Sequence, residues 1–214
     1  FALLAVCTMP VDHFITWIIT DERQANALRP VPNTLRGADP AVSPDGETIA
    51  YFEYTDGTLN LVTIKKDGSD KTYLTSYNDG TWMQRVDWSP DGKKLVFQMF
   101  HNFRYDLWTV NADGSDLSPL TWDEVEELDA HWGQDGKIYF SGVGSYTFEG
   151  AKILERYDPA SNQWETLNPM SVGRQGVAST FLDGKLYAYD PQYPDNGGVV
   201  WTYDQEGDLE QLLA

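Results

Sequence analysis

The chain has 214 residues, 41% of them apolar and 14% aromatic, enough to bury a globular core. Its formal charge of −18, from 33 acidic against 15 basic side chains, argues against nucleic acid and against an anionic membrane surface as partners. A single cysteine, Cys7, excludes an internal disulfide and a cysteine metal cluster, and no apolar run reaches the 18 or so residues of a membrane span.

In chain order, Phe1 to Cys7 ends like the tail of a lipoprotein signal, but Val6 stands where a small residue is wanted and no basic stretch precedes it. A repeat gives those residues a different role. The turn Ser43-Pro44-Asp45-Gly46 returns as Ser89-Pro90-Asp91-Gly92, then as Gly133-Gln134-Asp135-Gly136 and Leu182-Asp183-Gly184, at intervals of 46, 44 and 48. Each turn is followed by a strand-type run: Ile49 to Phe52, Leu95 to Phe97, Ile138 to Phe140, Leu186 to Ala188. Further strands, Asn60 to Ile64 and Asp106 to Val110, lead into Asp67-Gly68-Ser69-Asp70 and Asp113-Gly114-Ser115-Asp116. Leu74-Thr75, Leu120-Thr121 and Leu167 read as a last short strand.

Four antiparallel strands, A to D, in each unit of about 46 residues predict an all-β propeller, because such units hide their faces only against neighbours. Counting back 46 residues aligns Leu3 to Val6 with Ile49 to Phe52. The expectation is therefore a partial blade, strands B to D, over 1–37, with Cys7 buried in it, and four full blades over 38–82, 83–127, 128–172 and 173–214. On this count the chain is a fragment of a larger ring, or its open edge takes a strand from a neighbouring chain.

The Ser-Pro-Asp-Gly turns, with Asp39 to Gly46, Val86 to Gly92 and the Leu-Thr pairs, resemble WD40-like repeats of the TolB type, also found in propellers of prolyl oligopeptidase relatives. Tyr157-Asp158-Pro159 to Trp164, Leu167 to Met170, Gly173-Arg174 and Asp183 to Tyr187 resemble a kelch repeat, departing from it at Tyr189-Asp190, where a Gly-Gly doublet is usual. The first resemblance implies a bacterial envelope protein, exported to the periplasm or cell surface, that engages protein partners. The second implies a binding platform.

Little in the sequence points to catalysis. There is no G-x-S-x-G elbow, and His13, His101 and His131 are the only histidines; His131, before Trp132 on an inner strand, reads as structural. No cofactor is expected. The weak metal candidates are Asp123, Glu124, Glu126 and Glu127, read as an acidic loop that could attract Ca²⁺ but lacks the alternating donors of a calcium loop.

Hairpin connectivity gathers the B–C and D–A loops at one end and the tight A–B and C–D turns, with little side chain to offer, at the other. The first end is expected to carry long loops: Tyr77 to Met83, Met99 to Tyr105, Gly142 to Gly150 and Tyr189 to Gly198. Its candidate binding residues are Trp82, Phe100, His101, Phe103, Tyr105, Trp122, Tyr146, Phe148 and Tyr193, since exposed Tyr and Trp dominate binding hot spots. Two functions fit: a non-catalytic protein-interaction propeller, or a propeller binding a glycan or metal-dependent small substrate, as lyase and lactonase propellers do.

Overall fold

The structure, a computed structural model, describes residues 37–101, 104–122, 126–143, 153–167, 178–182, 185–190, 199–203 and 209–213. The expected partial blade over 1–37, with Cys7 and His13, lies outside them except for Gly37, which opens β1 of the next blade. The described residues contain strands, turns and bends and no helix.

The strands form four antiparallel sheets, each in chain order. Blade one is β1 (Gly37–Val42), β2 (Thr48–Thr55), β3 (Thr58–Lys65) and β4 (Thr72–Tyr73). Blade two is β5 (Trp82–Trp88), β6 (Lys94–His101), β7 (Arg104–Asn111) and β8 (Ser118–Pro119). Blade three is β9 (Glu126–Trp132), β10 (Ile138–Val143), β11 (Ile153–Asp158) and β12 (Gln163–Thr166). Blade four is β13 (Ala178–Leu182), β14 (Lys185–Asp190), β15 (Val199–Tyr203) and β16 (Leu209–Leu213).

The Ser-Pro-Asp-Gly sequence makes its turn by local hydrogen bonding. Asp45 Oδ1 accepts from Ser43 Oγ (2.6 Å) and the Glu47 N–H (3.0 Å), Ser43 Oγ accepts from the Thr48 N–H (2.9 Å), and Gly46 takes φ +72°. Blade two repeats the pattern through Ser89, Asp91 and Lys94, with Gly92 at φ +68°. In blade three the turn is one residue shorter: the Gly133 N–H reaches Lys137 O, where the Ser89 N–H reaches Lys94 O. A serine does not fit there, since a Cβ on Gly133 would lie 2.5 Å from Asp135 Oδ1 and 2.7 Å from Tyr139 Cε2.

The Leu-Thr pairs follow strand D instead of forming it. Thr75 Oγ1 accepts the buried Leu61 N–H and Thr121 Oγ1 the buried Leu107 N–H, each at 2.9 Å. The hydroxyl thus satisfies a strand C donor that a two-residue strand D is too short to reach.

Period-2 burial on both faces packs the blades together. On β2, Ala50 and Phe52 join Leu95, Phe97 and Met99 of β6 in one core, with the Phe52 and Phe97 rings 6.1 Å apart, while Ile49 and Tyr51 join a second cluster on the opposite face. Val96 and Leu107, on the other face of blade two, pack with Ala130, Trp132, Ile138 and Phe140 of blade three. Each such large apolar side chain contributes about 1.5–3 kcal/mol by leaving water.

Inner strands β1, β5, β9 and β13 stand next to one another in sequence order. The first three are irregular in register, at Ala38/Ala41, at Gln84/Asp87 and opposite Tyr139/Ser141. Asp39 and Arg85, at the first two irregularities, have φ of 49° and 59°. These kinks serve the blade junctions: the Arg85 N–H donates to Asp39 Oδ2 (3.0 Å), and Trp88 Nε1 donates to Ala41 O (3.1 Å). At the next junction Asp87 Oδ2 accepts from the Trp132 N–H (3.0 Å) and faces His131 Nδ1 at 3.3 Å.

Candidate functional site

The B–C and D–A end of blades one and two carries a continuous aromatic surface. Trp82, the first residue of β5, is 44% exposed, whereas its neighbour Met83 turns into the core. Alternation along the strand produces this, because adjacent side chains leave opposite faces of a sheet. Trp82 stands edge-on to Tyr54 near the end of β2, ring centroids 6.4 Å apart, and lies directly opposite Phe100 on β6. Phe100 in turn packs on Tyr105 of β7 at 5.1 Å. In the D–A connection at the same end, the 56% exposed Trp122 stands edge-on to Trp108 at 6.4 Å.

Arg104 lies over the Trp122 ring, 5.8 Å from guanidinium carbon to centroid. Its Nε donates to both carboxylate oxygens of the fully buried Asp106, at 3.1 and 3.2 Å. This two-oxygen contact holds the arginine in place over the Trp122 ring.

Both ends carry carboxylates, but only at the turn end are they interleaved with lysines among the described residues. Lys65, Lys66, Lys93, Lys94, Lys137 and Lys185 all flank A–B or C–D turns. At the aromatic end, Asp56 sits at the tip of the two-residue hairpin between β2 and β3, and Asp79 holds the approach to β5 through the Thr81 N–H (3.1 Å).

Several expectations are corrected by this geometry. The span Met99 to Tyr105 is not a long loop: β6 and β7 remain paired as far as His101 opposite Arg104, so Phe100 and Tyr105 are strand residues. Trp82 and Met83 belong to β5, Gly142 and Val143 to β10, Tyr189 and Asp190 to β14. Strand pairing satisfies their backbone groups, and the aromatics are held more firmly than loop residues would be. Glu126 and Glu127 begin β9 instead of sitting in a loop. Phe103, Tyr146, Phe148, Tyr193, Asp123 and Glu124 lie outside the described residues, as does the side chain of His101. Tyr54, 49% exposed, is hidden in the sequence because it continues an apolar strand run; its position two residues before Asp56-Gly57 is the signal that places it at the blade end.

The turn end is less bare than expected. A groove of about 730 Å³ between blades two and three is lined by Pro90, Asp91, Asn111, Asp113, Trp132 and Asp135, among others, and one of about 630 Å³ lies between blades one and two. Their carboxylates are engaged in turns: Asp91, Asp113 and Asp135 each accept the N–H two residues on. Among the described residues no three His, Cys, Asp or Glu side chains are placed to hold a metal ion.

In blade three a polar chain runs across the strands from the A–B turn to the outer strand. Tyr139 OH donates to Asp135 Oδ2 (2.9 Å), and the buried Arg156 donates to Tyr139 OH (3.4 Å) and to Glu165. Burial, opposed by Arg156 and assisted by Asp135, pushes the Tyr139 hydroxyl up to about 12, so it stays protonated as a donor. His131, bonded to Asp87, links blades, which is a structural role.

No family model matches the chain, and no curated protein matches it. Among solved structures, TolB from Acinetobacter baumannii superposes with a TM-score of 0.71 at 20% identity, over 99% of this chain and 52% of that one. A puromycin-hydrolyzing peptidase from Mycobacterium tuberculosis gives 0.68 at 17% identity, over 99% and 37%. A nidogen/laminin complex gives 0.64 at 14% identity, over 95% and 73%. The chain thus has the β-propeller fold and spans about half the length of the TolB structure. The TolB-like resemblance of its Ser-Pro-Asp-Gly turns holds at the level of fold.

Proposed function

We propose that this propeller is a non-catalytic platform that holds a protein partner on its B–C and D–A end, and that it works in the bacterial envelope or at the cell surface. The observation that carries the reading is the exposed aromatic row Tyr54, Trp82 and Phe100, set on paired strands at one end of otherwise well-cored blades, with Trp122 in the D–A connection of the same end. Aromatic side chains presented rigidly have little conformational entropy left to lose on binding. TolB among the similar structures supports the envelope location. Similarity to the peptidase carries less weight for catalysis, since the chain spans only 37% of it.

The same Trp and Tyr faces would suit a sugar ring, which keeps a glycan- or metal-dependent small-molecule site as the second reading. A photo-crosslinking amino acid at Trp82, in cells that express the protein, separates the two. Protein adducts in the envelope fraction, absent when the crosslinker replaces Glu47 at the turn end, are the expected result. Saturable oligosaccharide or Ca²⁺ binding that disappears in Trp82→Ala would overturn it.

A further inference from the structure

We infer that the aromatic end of blades one and two recognises a basic segment of its partner, one in which Lys or Arg alternates with apolar side chains. The inference rests on the interaction reading and names the chemistry of what is bound.

Three observations carry it. First, the aromatic faces are available in a row that runs from blade one into blade two: Tyr54 meets Trp82, Trp82 lies opposite Phe100, and Phe100 meets Tyr105. A partner must supply apolar contact along that row. Second, elsewhere at the same end the structure holds a cation on an indole face, with Arg104 5.8 Å from the centre of Trp122. Indole faces attract cations through the ring quadrupole, and the attraction grows when water is displaced.

Third, the carboxylates that border the row are accompanied by no lysine among the described residues of this end, whereas the turn aspartates of the far end are interleaved with lysines. Lysines flank the turns at the far end, Arg104 is committed to the buried Asp106, and Asp56 and Asp79 border Tyr54 and Trp82. With a chain charge of −18, a basic partner is attracted to the chain as a whole, and at this end it meets Asp56 and Asp79 with no lysine among the described residues. Asp56 is held at φ 50° on a hairpin tip, so its carboxylate projects from a fixed backbone point.

The test is selection from a random dodecapeptide phage library on the immobilised chain, followed by fluorescence titration of one selected synthetic peptide. Selected sequences are expected to contain Lys or Arg beside apolar residues. Trp82→Ala or Trp122→Ala should weaken the peptide about tenfold or more. Trp82→Phe, which keeps an aromatic face, should retain most of the binding, and near-ultraviolet circular dichroism checks that each variant folds. Asp56→Asn, which tolerates the same backbone angle, should cost about two- to threefold. Raising NaCl from about 50 to about 300 mM should weaken binding several-fold. Acidic or uncharged selected peptides, affinity indifferent to salt, or affinity unchanged in both tryptophan variants would each overturn the inference. Failure to select any peptide while crosslinking at Trp82 still captures protein would overturn it and leave the interaction reading standing; failure of both would remove both.

Discussion

Four aspartates, Asp45, Asp67, Asp91 and Asp113, do the same work in different turns. In each, Oδ1 alone accepts both a serine hydroxyl and the backbone N–H two residues on. Hydrogen bonds to the ionised form, the serine hydroxyl first, hold all four carboxyls below the usual range. A depressed folded-state value means that the stabilisation is fully present above the unfolded value of about 3.9 and is lost as pH falls through the folded value. Acidification also relieves the self-repulsion of a chain at −18, which acts in the opposite direction. Asp45→Asn isolates the first effect, because an amide oxygen can accept both bonds at any pH. The variant should leave the urea midpoint near that of the parent at about pH 6 and lose less of it on going to about pH 3. An equal loss in both proteins would show that this turn carboxylate does not couple folding to pH.

Among elements, the third A–B turn is the informative exception, since it carries the repeat with one residue fewer and a glycine in place of serine. Restoring the serine of the first two turns with Gly133→Ser forces a Cβ into Asp135 and Tyr139 and should destabilise by about 1–3 kcal/mol in urea unfolding. A stability equal to or above that of the parent would mean that Tyr139 gives way cheaply. The period that reveals this turn was legible in the sequence because Pro, Asp and Gly each have a fixed geometric use there. Less legible was anything set by pairing. The β6–β7 pairing extends to His101 opposite Arg104, and no glycine in the sequence between them marks the reversal as Asp56-Gly57 does, so the sequence of Phe100 and Tyr105 reads as loop. Leu-Thr was visible as a repeat but read as a strand, because an apolar residue beside a β-branched one resembles one, whereas Thr75 and Thr121 act through their hydroxyls. The inner-strand irregularities at Asp39 and Arg85 carry no glycine and leave no mark. Of the binding surface, Trp82, Phe100 and Trp122 could be picked out as aromatic residues near blade ends, but their neighbours across the row depend on register.

Across the whole molecule, stability resides at the junctions as much as in the blades, as in other repeat architectures. Asp87 joins blade two to blade three through the Trp132 N–H and His131, and also accepts from its own neighbour, the Trp88 N–H, at 2.8 Å. Asp87→Ala should therefore cost about 1–3 kcal/mol. Hydrogen exchange should quicken at the Trp132 amide while Leu61, sealed within blade one by Thr75, keeps its protection. Uniform acceleration at both amides would mean that the blades open as one unit and not junction by junction. In the inner-strand bonds Arg85 to Asp39, Trp88 to Ala41 and Trp132 to Asp87, the acceptor always belongs to the earlier repeat and the donor to the later one. The fold is in this sense a chain of one-way couplings, like a row of hooks and eyes. Splicing a second copy of blade two in after the first would therefore match only one of its two carboxylate hooks: Asp87 of the first copy would meet the second Trp88 as it now meets Trp132, but the second Arg85 would face the first Arg85 where Asp39 now offers a carboxylate.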